Sequence, residues 1–241
     1  MTTLKKGARG AEVEQLQTLL KCGLEIDGVF GAKTDAAVRA FQIANNLKGD
    51  GIVGVLTWAA LGVHTEHSNN PRPADFKQYD SRWGKQMYSN HNAKAQTMAS
   101  SGCGPTSAAD IVATWWDTSV TPMTLALKAV AWGYRTYSNG TAANFFKKIH
   151  DLYAPNAEYK HATTSMTALI DCLDQGGYAV VNFGPGANKK WTSGGHYCVI
   201  YKYDGAHFYI NDPASDKAAR AKGTYDEVKA ARKAFYLFWR E

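Results

Sequence analysis

Near the N-terminus, apolar residues recur at helical spacing. Val13, Leu16, Leu19 and Leu20 share one face of a predicted helix over 12–21. Ala37, Val38 and Phe41 do the same over 33–45, and a short third helix is expected over 57–61. Farther along, the pattern changes. The run Tyr178–Phe183 is almost wholly apolar and predicts a buried strand, while His196–Tyr203 alternates as a second strand. Asp204-Gly205 then marks a hairpin whose return strand covers 208–213. Helices are expected over 108–116, 121–132, 141–153, 165–175 and 225–233, with a closing strand over 235–239. Trp115 and Trp116 belong to the predicted core, whereas Trp191, set among Lys and Gly, is expected at the rim of a cleft.

Between these two regimes, residues 64–73 lack apolar periodicity and carry Asn69-Asn70, Ser68 and the prolines Pro71 and Pro73. The expected organisation is an all-α unit over 1–63, a linker over 64–74 and an α+β unit with an antiparallel sheet over 75–241. His64 and His67 flank Glu66 in the linker, but no further metal-binding side chain follows nearby, so a polar linker is the better reading.

Composition narrows the function. The chain of 241 residues is 45% hydrophobic and 20% charged, which is ordinary for a globular protein and excludes a disordered tail or a coiled coil. No apolar run approaches the roughly 20 residues that a membrane span needs, so membrane insertion is not expected. The net charge of +6 is spread thinly, with 7 Lys+Arg against 6 Asp+Glu over 1–63 and 20 against 15 beyond. A nucleic-acid partner would ask for clustered basic residues interleaved with aromatics, and none is expected. Four cysteines are too sparse for a disulfide framework. The first residues form no apolar signal segment, so synthesis in a reducing cytoplasm is expected, with release by another route if the protein works outside the cell.

Two loops of the first unit repeat each other. Asp27-Gly-Val-Phe-Gly-Ala-Lys-Thr34 and Asp50-Gly-Ile-Val-Gly-Val-Leu-Thr57 both open with an Asp-Gly turn and end on a threonine placed to cap the following helix. With Gly10-x-x-Val13-x-x-Leu16-Gln17, Ala37-Val-x-x-Phe41-Gln42 and Thr57-Trp58, the pattern resembles the three-helix peptidoglycan-binding domain family over about residues 4–62. The resemblance implies bacterial peptidoglycan as the partner, with Asp27, Phe30, Gln42, Asp50 and Trp58 as candidate contacts. Turn and core roles would also explain these five residues.

In the second unit, Ser101-Gly-Cys-Gly-Pro-Thr-Ser107 precedes a helix and places Cys103 at its start. A helix N-terminus lowers a thiol's pKa and offers N–H groups to an oxyanion, so Cys103 is the expected nucleophile. Gly102 and Gly104 would let a substrate backbone come close. Cys22, Cys172 and Cys198 read as structural thiols. A thiolate needs an imidazole partner. Of the seven histidines, His196 follows Gly194-Gly195 and opens a strand, while His91, His150, His161 and His207 lack such surroundings. Asn211 or Asp212, at the end of the return strand, could orient the imidazole. A three-residue turn would set Lys202 opposite Ala206 and His196 opposite Asp212, which favours Asp212 by strand parity.

These motifs, with Asp80-Ser-Arg-Trp83, Gly133-Tyr-Arg135, Gly194-Gly-His196 and Asn211-Asp-Pro213, resemble the papain-like peptidase C39-like family over about 75–240. The resemblance implies a papain-like cysteine peptidase fold and a Cys103–His196–Asp212 triad, and with no His-Glu-x-x-His or paired Cys-x-x-Cys motif in the chain, no metal or cofactor is expected. The family's side-chain oxyanion donor is a glutamine six residues before the cysteine. That position is Thr97 here, with Gln96 one step away. A wall-binding unit beside a thiol hydrolase resembles a phage endolysin: made in the host cytoplasm, released with a holin, and cutting a peptide bond in peptidoglycan. Cleavage of the sugar–peptide amide, processing of a leader peptide and an inert wall-binding role are the alternatives.

Overall fold

In a computed structural model of the chain, residues 3–45, 47–63, 70–89, 96–136, 140–186 and 189–240 are described. His64, Glu66, His67 and His91, with the first six residues of the expected linker, fall outside them. The chain divides into two units, Met1–Glu66 and His67–Glu241.

The first unit holds α1 (Ala11–Leu20), α2 (Ala32–Ala44) and α3 (Val55–Ala60). Val13, Leu16 and Val38 meet Phe30, Val53 and Trp58 in its core. The repeated loops are held by a repeated polar device. Gln17 Nε2 donates to Asp27 Oδ1 at 2.7 Å, to Val29 O at 3.2 Å and to Thr34 Oγ1 at 3.2 Å, while its Oε1 accepts from Gly28 N at 3.0 Å. Gln42 repeats this with Asp50 Oδ1 at 3.2 Å, Ile52 O at 2.8 Å, Thr57 Oγ1 at 3.1 Å and Gly51 N at 2.9 Å. Gly28 and Gly51 take φ of 66° and 72°, the left-handed conformation these turns require. Thr34 and Thr57 are therefore not helix caps. Gly31 precedes α2, and both threonines lie buried inside their helices, with hydroxyls turned onto Val29 O and Ile52 O.

The second unit begins with α4 (Met98–Ser101), α5 (Cys103–Trp115) and α6 (Pro122–Ala131), then the short pair β1 (Arg135–Thr136) and β2 (Gly140–Thr141). After α7 (Asn144–Tyr153) come β3 (Tyr159–Thr163), α8 (Met166–Asp174), β4 (Tyr178–Phe183), β5 (His196–Tyr203) and β6 (His207–Asn211). A 3-10 turn at Ala218–Arg220 leads to β7 (Lys222–Thr224), α9 (Tyr225–Ala231) and β8 (Arg232–Phe238). Six antiparallel strands form one sheet in the order β3-β8-β4-β5-β6-β7.

Local signals explain several boundaries. Thr121 caps α6, with Pro122 at its first position, and Ser165 caps α8. Thr224 and Glu227 form a capping box on α9. The sheet is covered on both faces, which is why β4 reads as a continuous apolar run. Val180, Val199 and Tyr236 join residues of α5, α6 and α7 in the main core, and α8 also packs on β4, β5 and β8. Trp115 stacks on Tyr178, the rings 4.2 Å apart and 7° from parallel. One expectation shifts: α9 ends at Ala231, so that Arg232 and Lys233 begin β8.

Candidate active site

Cys103 is the first residue of α5 and is half-buried. The glycines beside it have an internal reason. A Cβ on Gly102 would lie 2.6 Å from Met98 O, and one on Gly104 would lie 2.4 Å from Thr141 Oγ1. They admit the chain's own backbone and β2, rather than the substrate backbone expected above. Thr141 is fixed in turn by Tyr88, whose hydroxyl lies 2.7 Å from its Oγ1. Arg135 is buried and donates to Tyr88 O at 2.5 Å and Gly140 O at 2.8 Å, so one guanidinium braces this wall.

His196 opens β5. Its Nε2 lies 2.7 Å from Asp212 Oδ1. A carboxylate can only accept here, so Nε2 carries the proton and Nδ1 is left for the thiol. Cys103 is hydrogen-bonded to His196 and to the backbone N–H groups of Tyr197 and Gly104. Burial acts to raise the thiol's pKa, but the imidazole's hydrogen bond and charge, with the two N–H groups, outweigh it and hold the pKa below the ordinary value. Burial acts to lower the imidazole's pKa. The neighbouring Cys198 and the hydrogen bonds to Asp212 and Cys103 outweigh that and hold it well above its ordinary value. The arrangement favours a thiolate–imidazolium pair.

Asp212 is buried and held from three sides. Besides His196, its Oδ1 accepts from Ala214 N at 2.9 Å, and Arg220 Nε lies 2.6 Å from Oδ2. Arg220 is itself anchored: its Nη2 donates to Trp191 O, and Trp191 Nε1 donates back to Arg220 O at 3.0 Å. Trp191 is thus not at a cleft rim. It is 3% exposed and stacks on Phe183 with ring centroids 4.2 Å apart. Asn211 faces the other way. It donates to Ala74 O at 3.1 Å, accepts from Arg72 Nε at 2.9 Å and hydrogen-bonds Asp110 of α5, which fastens the segment before α4 to the sheet.

The register behind this differs from the expected one. Tyr203 pairs with Phe208 across a four-residue turn, and Tyr201 is an extra residue in β5 between the pairs Ile200–Ile210 and Lys202–Tyr209. Val199 then pairs with Asn211, so Asp212 comes level with Cys198, two residues beyond His196. Lys202 does not oppose Ala206, and His196 does not directly oppose Asp212, yet the even-numbered residues of both strands share a face.

The Cys103–His196 pair opens into a cleft of about 620 Å³. Ser100, Ser101, Thr141, Asn182 and Lys233 contribute polar groups to its lining. Gln96 and Thr97 are elsewhere: Gln96 Oε1 accepts from Arg135, and Thr97 bridges to Met87 just before α4. Ligand atoms of His196, Cys198 and Asp212 lie within 4.8 Å of one another, close enough for a metal ion. Arg220 against Asp212 sets a positive charge where a divalent cation would have to sit, so the donor set does not suit one.

In the first unit, Phe30 and Trp58 are each 1% exposed in the core, and neither ring presents a face to a ligand. Asp27, Gln42 and Asp50 hold the loops as described.

Residues 78–241 match the model of the Peptidase_C39 like family. The chain belongs to that family. Residues 9–61 match a second model, described as "Putative peptidoglycan binding domain". A curated relative, "Uncharacterized protein in bpoA1 3'region" of Kitasatospora aureofaciens, is 43% identical over 63 residues, which are 26% of this chain and 53% of that one. This C39-like chain therefore spans about half the length of that relative. Among solved structures, the endolysin of Burkholderia AP3 phage is 39% identical over 30% of this chain and 28% of its own, with a TM-score of 0.26. A "putative C39-like peptidase" from Bacillus anthracis is 18% identical over 74% of this chain and 98% of its own, with a TM-score of 0.48.

Sequence reasoning missed Arg220, which lies in an irregular stretch with no motif spacing to mark it. It also set Cys198 aside as a structural thiol, although strand alternation alone places it on the face of His196. Burial pushes the Cys198 thiol up to about 11.

Proposed function

We propose that this chain is a peptidoglycan hydrolase of the endolysin kind. Residues 1–63 would hold it on the bacterial cell wall, and the C39-like unit would cut a peptide bond there by thiol chemistry. The observation that carries the reading is the Cys103–His196–Asp212 constellation at the head of α5, in a chain that also matches a wall-binding family. Tethering to an insoluble polymer raises the local concentration of scissile bonds.

In this mechanism the Cys103 thiolate attacks the carbonyl carbon. The first turn of α5 stabilises the oxyanion with backbone N–H groups. The His196 imidazolium gives its proton to the leaving amine, and the C–N bond breaks to leave a thioester on Cys103. His196, now neutral at Nδ1, takes a proton from water, which attacks the thioester, frees the acid and restores the thiol pair. Asp212 keeps the imidazole's other proton on Nε2 throughout, and Arg220 steadies Asp212.

The test separates binding from cutting. Cys103→Ala in the full chain is expected to sediment with purified walls as the parent does while clearing no turbidity. Mass analysis of the soluble products from the parent chain then identifies the bond. New amino termini within the peptide support the reading, whereas release of whole peptides from the sugar would make it an amidase. Lysis by Cys103→Ala, or activity that chelators abolish and zinc restores, would overturn the thiol mechanism.

A further inference from the structure

We propose that Lys233 reads a carboxylate on the leaving-group half of the substrate, making the C39-like unit selective for acidic peptides. The proposal rests on Cys103 and His196 being the reacting pair.

Lys233 stands near the start of β8, and its side chain reaches into the cleft beside the strand that carries His196. Its Nζ donates to Gly194 O at 3.3 Å, and a methyl group on Gly195 would lie 3.8 Å from the same Nζ. The ammonium therefore sits against the two residues that lead directly into His196. One of its three N–H donors is used by Gly194, and no carboxylate among the described residues pairs with it. Lys233 is exposed, so that capacity faces the cleft and solvent rather than the core.

Charge in the cleft is one-sided. Apart from the Cys103–His196 pair, Lys233 is the one charged side chain among the described lining residues, the Tyr197 phenol being kept neutral by burial. Its polar neighbours Ser100, Ser101, Thr141 and Asn182 are neutral. A peptide in this cleft meets a cation and no compensating anion.

Chemistry gives the side. His196 must protonate the leaving nitrogen, so the departing half of the substrate lies against the imidazole. Lys233, next to the Gly194-Gly195-His196 turn, faces that half. An ammonium on a flexible four-carbon stem suits a carboxylate whose position varies by a bond or two. The matched substrate carries a free carboxylate shortly after the scissile bond, either a side-chain acid or the chain's own terminus.

The experiment measures a ratio within each variant, so that a general loosening of the glycine turn cancels. Full-length Cys103→Ala protein is titrated with a synthetic wall peptide bearing free carboxylates and with the same peptide converted to carboxamides. The acid form is expected to bind about three- to tenfold more tightly, as suits a solvent-exposed pair, and the preference should shrink as salt rises. Adding Lys233→Met should bring the ratio near one, Lys233→Glu should invert it, and Lys233→Arg should keep it. A preference that survives Lys233→Met, or no measurable binding of the acid peptide at millimolar concentration, overturns the proposal. Wall lysis by the chain with Cys103 intact is measured in parallel. If lysis fails while the ratio responds to Lys233, the hydrolase reading falls and carboxylate recognition stands.

Discussion

Asp212→Asn exchanges one heavy atom and almost no volume, yet it should be costly because three N–H groups converge on this carboxylate. Oδ1 meets His196 Nε2 at 2.7 Å and Ala214 N at 2.9 Å, and Oδ2 lies 2.6 Å from Arg220 Nε. A carboxylate accepts both hydrogen bonds at Oδ1 and sets its charge against the guanidinium at Oδ2, whereas an amide has one acceptor oxygen and no charge. If that oxygen stays on His196, the NH₂ group faces the guanidinium, and an ion pair with a buried carboxylate is replaced by two opposed donors. If the amide turns over, its NH₂ faces His196, which must then move its proton to Nδ1, where the thiol needs a base. Arg220 biases the amide toward this second state, and in both states the imidazolium loses an anionic partner. The expected fall in turnover is about 10³–10⁴-fold, the scale seen when a triad is locked in the wrong tautomer. Arg220→Met in the same chain removes the competing donor and lets the amide turn its oxygen to His196, as in Cys–His–Asn hydrolases. The double variant should therefore regain at least about tenfold over Asp212→Asn, or ~1.4 kcal/mol. Initial rates of wall clearing measure turnover, and thermal melting checks folding. The pH dependence of Cys103 alkylation, in a Cys22→Ser background because Cys22 is exposed, reads the thiolate directly. Asp212→Asn at the parent rate, or a double variant no faster than the single one, refutes the reasoning.

Gln42→Ala should destabilise the first unit by about 2–4 kcal/mol, because Gly51 N–H and Ile52 O lose their buried partner. Wall sedimentation should persist in the cold and fail at a lowered melting temperature, whereas loss of binding with unchanged melting would make Gln42 a ligand contact. Asp110 is buried, and burial raises its pKa well above the ordinary 3.8. The native state then holds this proton more tightly than the unfolded chain, so stability declines as pH rises from 3.8 through the folded-state value. Asp110→Asn keeps an acceptor for Phe76 N and removes that decline. In denaturant melts across the acid range, the variant should gain on the parent by up to about 1.4 kcal/mol per pH unit, and a flat difference would contradict the assignment.

Elements whose signal is local were legible in the sequence. The apolar stripe of Val13, Leu16 and Leu20 marks α1, the run Tyr178–Phe183 marks a strand covered on both faces, and the glycine-flanked cysteine marks the head of α5. What escaped depends on partners distant in sequence. Thr34 and Thr57 look like caps until a glutamine from the preceding helix is seen to bind their hydroxyls, 17 and 15 residues away. Trp191 looks like a rim residue until Phe183 and Arg220 enclose it. Lys233 was assigned to a helix because its strand begins without a turn signal.

The choice between Asn211 and Asp212 shows how a parity argument can reach its answer through two errors. Had the turn at 204–207 alone set the register, Tyr203 opposite Phe208 would pair odd residues with even ones along the whole hairpin. Asn211 would then share a face with His196, and Asp212 would turn toward α5. The extra residue Tyr201 slips β5 by one position and restores odd with odd, even with even. The expected three-residue turn had the same parity by a different count. A period of two registers only the parity of the total slip, so a longer turn and a bulge cancel where either alone would reverse the faces. The bulge is thus part of the site. Were Tyr201 taken into the ladder as a paired residue, the carboxylate that serves His196 would turn to the far face and an amide would come in its place, whereas deleting Tyr201 would keep Ile200 opposite Ile210 and leave His196 and Asp212 on one face.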